Sequence, residues 1–186
     1  MRTTTSASES VEATVARADT SEEKCGGARF TYDVECRGAD GNVKWSEVVE
    51  NLVTTAGKND LLDKYFKGSA YTAAWYLGLK SAIAGVEAIT DTMASHATWS
   101  EVFAYTGGTN RPALVFAGNA AAGSNTANAI PFAINATVTV GGAFVTNTAA
   151  TSPGNTGVLY SVRSFSADRP CLSGDTLTVT LTVTIT

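Results

Sequence analysis

The clearest pattern in the chain lies at its C-terminal end. Leu177, Val179, Leu181, Val183 and Ile185 alternate without a break with Thr178, Thr180, Thr182, Thr184 and Thr186. A period of two places the aliphatic set on one face of a β-strand and the threonines on the other. At about 3.3 Å per residue, such a strand spans on the order of 30 Å. The same alternation runs through Phe30-Thr31-Tyr32-Asp33-Val34-Glu35-Cys36 and again through Val43-Lys44-Trp45-Ser46-Glu47-Val48. Asp40-Gly41-Asn42 sits between them as a turn signal, so the two runs predict a hairpin. Val49 to Thr55 continues the second strand or bends away from it. The period then changes. Leu61, Leu62, Tyr65 and Phe66 recur at helical spacing, and Gly68 follows as a stop, which predicts one short helix over 56–66.

Beyond the helix the pattern returns to strands. Ala73 to Leu79 is a continuous apolar run of strand length. Asp91 to His96 has the composition of a short helical turn, with Thr90 or Asp91 as its cap. Trp99 to Tyr105 reads as a strand, 106–110 as a loop, and Ala113 to Phe116 as another strand. Ala129 to Ile134 follows, with Pro131 marking an edge position or a bulge. Ala136 to Val140 and Ala143 to Thr146 flank Gly141-Gly142, which is either a tight hairpin turn or a bulge inside one long bent strand. Gly157 to Phe165 precedes the final strand. Short strands at regular spacing with Gly, Asn and Ser between them predict a mostly β domain. Its expected form is an antiparallel β-sandwich, Ig-like or jelly-roll-like, over residues 29–186. Residues 1–28 differ. Polar runs surround single apolar residues such as Val11, Val15 and Ala18. That is too little to serve a core, so an extended N-terminal arm reaching onto a neighbouring molecule is expected.

Composition narrows the function. Of 186 residues, 44% are hydrophobic and only 16% charged, against about a quarter charged in ordinary soluble domains. Thr, Ala, Gly, Ser and Asn replace the missing charge. Such faces suit burial against neighbours, where desolvating charge is costly. The net charge is −4 and no Lys/Arg cluster stands out, which argues against nucleic-acid binding and against an anionic membrane surface. There is no apolar run of membrane-spanning length. Met1-Arg2-Thr3-Thr4-Thr5 leads into polar sequence rather than a secretory apolar run, so folding in a cytoplasm is expected. The three cysteines, Cys25, Cys36 and Cys171, lack zinc-site spacing. They read as free thiols, with a Cys25–Cys36 bridge as the alternative under oxidising conditions.

Candidate chemistry is sparse. His96 is the single histidine, so any Ser-His-Asp or Cys-His apparatus would have to use it. Its neighbours Ser95 and Thr98 read better as turn residues. Asp40-Gly41-Asn42 and Gly174-Asp175 are fragments of a calcium loop, and Gly57-Lys58 and Gly107-Gly108 are fragments of a phosphate cradle. Glu47, Glu50 and Glu101 lie near aromatics but are scattered. No cofactor, metal or catalytic residue is assigned, and a non-enzymatic protein is expected. Trp45, Trp75, Tyr76, Trp99, Phe103 and Tyr105 fall in expected strands. Most belong in a core, and the sequence does not say which face a partner.

Two stretches carry a resemblance. One is Asn51 to Phe66 leading to Trp75-Tyr76-Leu77-Gly78-Leu79, and the other is Asp91 to Glu101 with Asn110-Arg111-Pro112 after it. Gly141-Gly142-Ala143-Phe144, Gly157-Val158-Leu159-Tyr160-Ser161 and Ser173-Gly174-Asp175-Thr176-Leu177 continue it. Over roughly residues 45–186 the chain resembles small virion structural proteins of tailed bacteriophages. The resemblance implies a β-sandwich particle component. Its first expected role is a capsid decoration, or cement, protein on the virion surface, bound to the major capsid protein and stabilising the expanded head. A tail- or fibre-associated component, or an adhesin contacting the host surface, is the alternative. The resemblance transfers no catalytic residue. Capsid geometry adds the expectation of a homotrimer.

Overall fold

A computed structural model describes residues 27–68, 70, 74–81, 87–96, 99–151 and 154–185. The first alternating run forms β1 (Ala28–Arg37), and the second forms β2 (Val43–Glu50). Asp40 closes the turn between them by accepting from the backbone and side-chain nitrogens of Asn42. Asn51 breaks the second strand. Beyond it, β3 (Leu52–Val53) joins the opposite sheet, and α1 (Thr55–Tyr65) follows. The remaining strands are β4 (Tyr76–Lys80), β5 (Glu101–Val102), β6 (Ser124–Thr126), β7 (Ile130–Ala133), β8 (Val138–Thr146), β9 (Leu159–Cys171) and β10 (Thr176–Ile185). Their pairings are antiparallel and build two five-stranded sheets among the described residues. Over the described residues the chain is an antiparallel β-sandwich with one short helix.

The threonine-rich strand is the spine of the first sheet, whose order is β2-β1-β10-β6, with β7 also on β10. Partners run from Ala28 opposite Ile185 to Arg37 opposite Thr176. This register sets Phe30, Tyr32, Val34 and Cys36 beside Val183, Leu181, Val179 and Leu177 on one face, and all but the half-buried Val183 are fully enclosed. The threonines form a column on the other face. Thr182 bonds Thr126 at 2.9 Å and Thr184 bonds Ser124 at 3.1 Å. Each enclosed aliphatic or aromatic side chain contributes roughly 1.5–3 kcal/mol relative to exposure. Pro131 lies in β7, which pairs only with β10, the edge placement its missing N–H requires.

The second sheet, β3-β9-β8-β4-β5, is covered on both faces. Leu77, Leu79, Val145 and Tyr160 face the first sheet. Phe144, Leu159 and Val162 point away from it and meet Met93 and Trp99. Gly78 makes room for this second layer. A Cβ there would stand 2.1 Å from the Phe144 ring, its cross-strand partner. Gly141-Gly142 is a bulge within one strand, with the register shifting between Val140 and Gly142. A Cβ at Gly142 would stand 2.1 Å from the Arg163 carbonyl oxygen and 2.8 Å from the stem of Lys80.

Several expected elements differ. Residues 91–96 make no helix. Thr92 and Ser95 exchange backbone bonds in a turn, and buried Asp91 accepts from the Ala88 N–H instead of capping a helix. Only Glu101–Val102 of the 99–105 run is a strand. Ala113 makes a single bridge to Tyr76, because Val115 N–H is taken by the Asn128 side chain rather than by a neighbouring strand. β9 runs on to Cys171, and β6 has no apolar signal at all. The expected arm over 1–28 lies outside the described residues up to Cys25 and Gly26, and Ala28 already belongs to β1.

Candidate functional site

The helix is held by polar and steric detail on its inner side. Thr54 caps it, accepting from Gly57 N–H at 3.0 Å and donating to the Leu159 carbonyl. Gly57 rests on the backbone of Tyr160, where a Cβ would lie 2.6 Å from Tyr160 Cα. Asp60 accepts from the Tyr160 hydroxyl at 2.5 Å. These contacts fix which face turns inward. Leu61 packs partly against the core. Leu62, Tyr65 and Phe66 are left outside, 54%, 83% and 78% exposed, with the two rings meeting edge-on at 5.0 Å. Lys64 bonds the Ala70 carbonyl, and Asp63 and Lys67 lie 4.0 Å apart. The exposed face thus combines two large rings and a leucine with a charged border. Aromatic side chains of this kind carry much of the energy of protein interfaces.

A second cluster forms where β5 and the loops around it meet. His96 stacks on Trp99 with ring centroids 3.7 Å apart. Its Nδ1, the Trp99 Nε1 and the Tyr105 hydroxyl have no hydrogen-bond partner among the described residues. Burial lowers the His96 pKa, with nearby Asp91 pulling the other way. Arg111 is fully enclosed. Its Nε and Nη2 grip both Glu101 oxygens at 2.8 and 2.7 Å, and its Nη1 donates to the carbonyls of Thr148 and Ala150. The guanidinium also lies 5.5 Å from the Phe144 ring centre. Burial raises the Glu101 pKa despite this partner. Outside the ion pair, Phe103 is 48% exposed and stands between two open depressions of about 720 and 710 Å³. Trp99 and His96 line the first, and Tyr105 and Asn135 the second.

The other sequence candidates have structural occupations. Asp40 is spent in its turn. Asp175 pairs with Lys44 at 2.7 Å and accepts from Leu172 N–H. Gly107 and Gly108 form a turn. Glu50 pairs with Arg29, and Glu47 accepts from Arg169 and from Ser166 N–H. No group of three or more His, Cys, Asp or Glu residues able to hold a metal occurs among the described residues. Trp45 packs on Phe165 under Arg169, and Trp75 lies between Phe30 and Tyr160. Among the described residues, the most exposed aromatics are therefore Tyr65, Phe66 and Phe103. Sequence reasoning did not single out the α1 face as exposed, although a signal existed. Leu61/Tyr65 and Leu62/Phe66 are two i, i+4 pairs about 100° apart around a helix, so one narrow inward stripe cannot take all four. No known protein family, curated protein or solved structure matches the chain.

Proposed function

We propose that this chain is a non-enzymatic structural component of a tailed-phage virion, a capsid decoration protein that binds the major capsid protein and stabilises the expanded head. The observation that carries this reading is the outward face of α1. Leu62, Tyr65 and Phe66 are large, apolar and exposed on a helix whose inner contacts hold it rigidly to β9. A preformed apolar face loses little freedom on binding, so most of its burial free energy reaches the complex. The low overall charge keeps desolvation costs small where protein surfaces meet. A protein that binds the expanded shell better than the compact one shifts that equilibrium by mass action. Copies at a lattice axis would form a homotrimer, and the segment ahead of β1 would extend onto a neighbour.

Phe103, raised between two depressions, favours the second reading, an adhesin or tail-fibre component contacting the host surface. Co-sedimentation separates the two. The purified protein is expected to bind saturably to DNA-filled heads stripped of it, and the Tyr65→Ser/Phe66→Ser variant to bind at least tenfold more weakly while keeping its thermal transition. Binding to tails or host cells alone, lost in a Phe103→Ser variant, would replace the decoration reading with the adhesin one.

A further inference from the structure

The two sheets bring together a pair of groups that the proposed function does not use. Cys36 ends the inward row of β1, beside a register shift in its pairing with β2. Cys171 ends β9 in the opposite sheet. Both side chains are fully enclosed and both are free thiols. Both belong to one hydrophobic cluster between the sheets, where each thiol shifts the titration of the other, and Cys171 Sγ donates to the Arg169 carbonyl at 3.8 Å. The hairpin neighbour of Cys36 is Trp45, so the described partner of Cys36 is not across its own hairpin. Cys25 lies outside the described residues.

We propose that Cys36 and Cys171 are a redox-convertible pair, thiols while the chain folds under reducing conditions and a cross-sheet disulfide after exposure to a low-molecular-weight disulfide. The conversion balances in two exchanges. One cysteine, as its thiolate, attacks the small disulfide, forming a mixed disulfide and releasing one small thiol. The second cysteine then displaces the other small thiol and closes the Cys36–Cys171 bond. The two protein thiols lose two hydrogens, and the oxidant takes them up as two thiols. Burial raises both cysteine pKa values, that of Cys171 to about 12, so the closed fold holds little thiolate and reacts slowly. The exchange needs transient opening of this end of the sandwich. Once formed, the bond joins the sheets and encloses most of the described chain, which restricts the unfolded ensemble strongly.

The test uses the unsubstituted 186-residue chain and oxidised glutathione, in dilute urea that permits opening. Peptide mapping without reductant is expected to show the Cys36 and Cys171 peptides joined. The melting temperature is expected to rise by on the order of 10 °C and to return on reduction. A Cys25→Ser chain should behave alike, losing the mass of two hydrogens. Linkage of Cys25 to either partner would overturn the proposal. So would stable glutathione adducts at Cys36 or Cys171 without closure, the absence of any linkage, or a bond that lowers the melting temperature.

Discussion

At the scale of single residues, the end of the second sheet is governed by buried charge. Arg111 donates two hydrogen bonds to Glu101, and its Nη1 donates to two backbone carbonyls. A buried pair is costly to form, but removing one partner is costlier because it strands the other. Arg111→Met is therefore expected to cost about 3–5 kcal/mol of unfolding free energy in urea titration. Arg111→Lys should fall nearly as far, since an ammonium cannot reproduce the planar fork. Replacing both residues, Arg111→Met with Glu101→Leu, should recover most of the loss. A single Arg111→Met variant with wild-type stability would show that the pair is not buried as described. His96 gives a pH prediction at the same scale. Its folded pKa lies below the unfolded value, so the neutral ring contributes stability above about pH 6.5. That stability is lost as pH falls through the lowered folded value. An NMR titration should find the imidazole still neutral at the pH where an unfolded histidine is half protonated. A midpoint at or above the free value would contradict its burial against Trp99.

At the scale of elements, α1 sets intrinsic preference against fit. Gly57→Ala should stabilise an isolated helix by about 1 kcal/mol. In this protein the added methyl would meet the Tyr160 backbone at 2.6 Å, and backbone cannot turn aside as a side chain can. The variant is expected to lower the melting temperature by several degrees and to loosen Asp60 from Tyr160. A gain in stability would mean that α1 has freedom to lift from β9. Elements that follow from a single local pattern were legible in the sequence. The alternation over Phe30–Cys36 and Leu177–Ile185 identified β1 and β10, and its apolar face is buried as far as Leu181, with Val183 half-buried and Ile185 70% exposed at the strand end. The leucines and Gly68 marked α1 to within a residue. Segments whose backbone bonds go to loops and side chains were not legible. Ala113–Phe116 has strand composition, yet Leu114 N–H bonds Trp75 and Val115 N–H bonds Asn128. Ser124–Thr126 has no apolar residue and is a strand only because β10 offers it an edge. The orientation of α1 was equally hidden, because it depends on Gly57 meeting Tyr160, a contact between distant parts of the chain.

At the scale of the whole molecule, the question is how the sandwich is closed along its open side. The edge of β2 faces the outer length of β9, and Glu47 spans the gap. It accepts from Ser166 N–H at 2.6 Å and from Arg169 at 2.7 Å, while Arg169 covers Trp45. Blocking an exposed edge with a charged, engaged side chain also discourages pairing with a second sheet. Glu87 and Asp175 act similarly within their own surroundings, held by Lys80 and Ser164 and by Lys44 and Leu172 N–H. Burial alone would raise the pKa of all three carboxyls, but their hydrogen bonds together outweigh it and the net shift is downward. A folded pKa below the unfolded one contributes stability that is present above the unfolded value, about 4 for these groups. It is lost as pH falls through the folded values. Glu101 opposes this. Its raised pKa contributes stability that is full below the unfolded value and lost as pH rises through the folded one. These three lowered carboxyls, joined by Asp40 in its turn, outnumber the one raised and predict a net loss on acidification. Between about pH 7 and 5 the loss at His96 and the gain at Glu101 oppose each other, so the main drop in the urea midpoint should come below about pH 4. Glu47→Gln should flatten the drop, because a neutral amide has no proton to gain at that seam. An unchanged profile in this variant would mean that the Glu47 carboxylate contributes no pH-dependent stability to that seam.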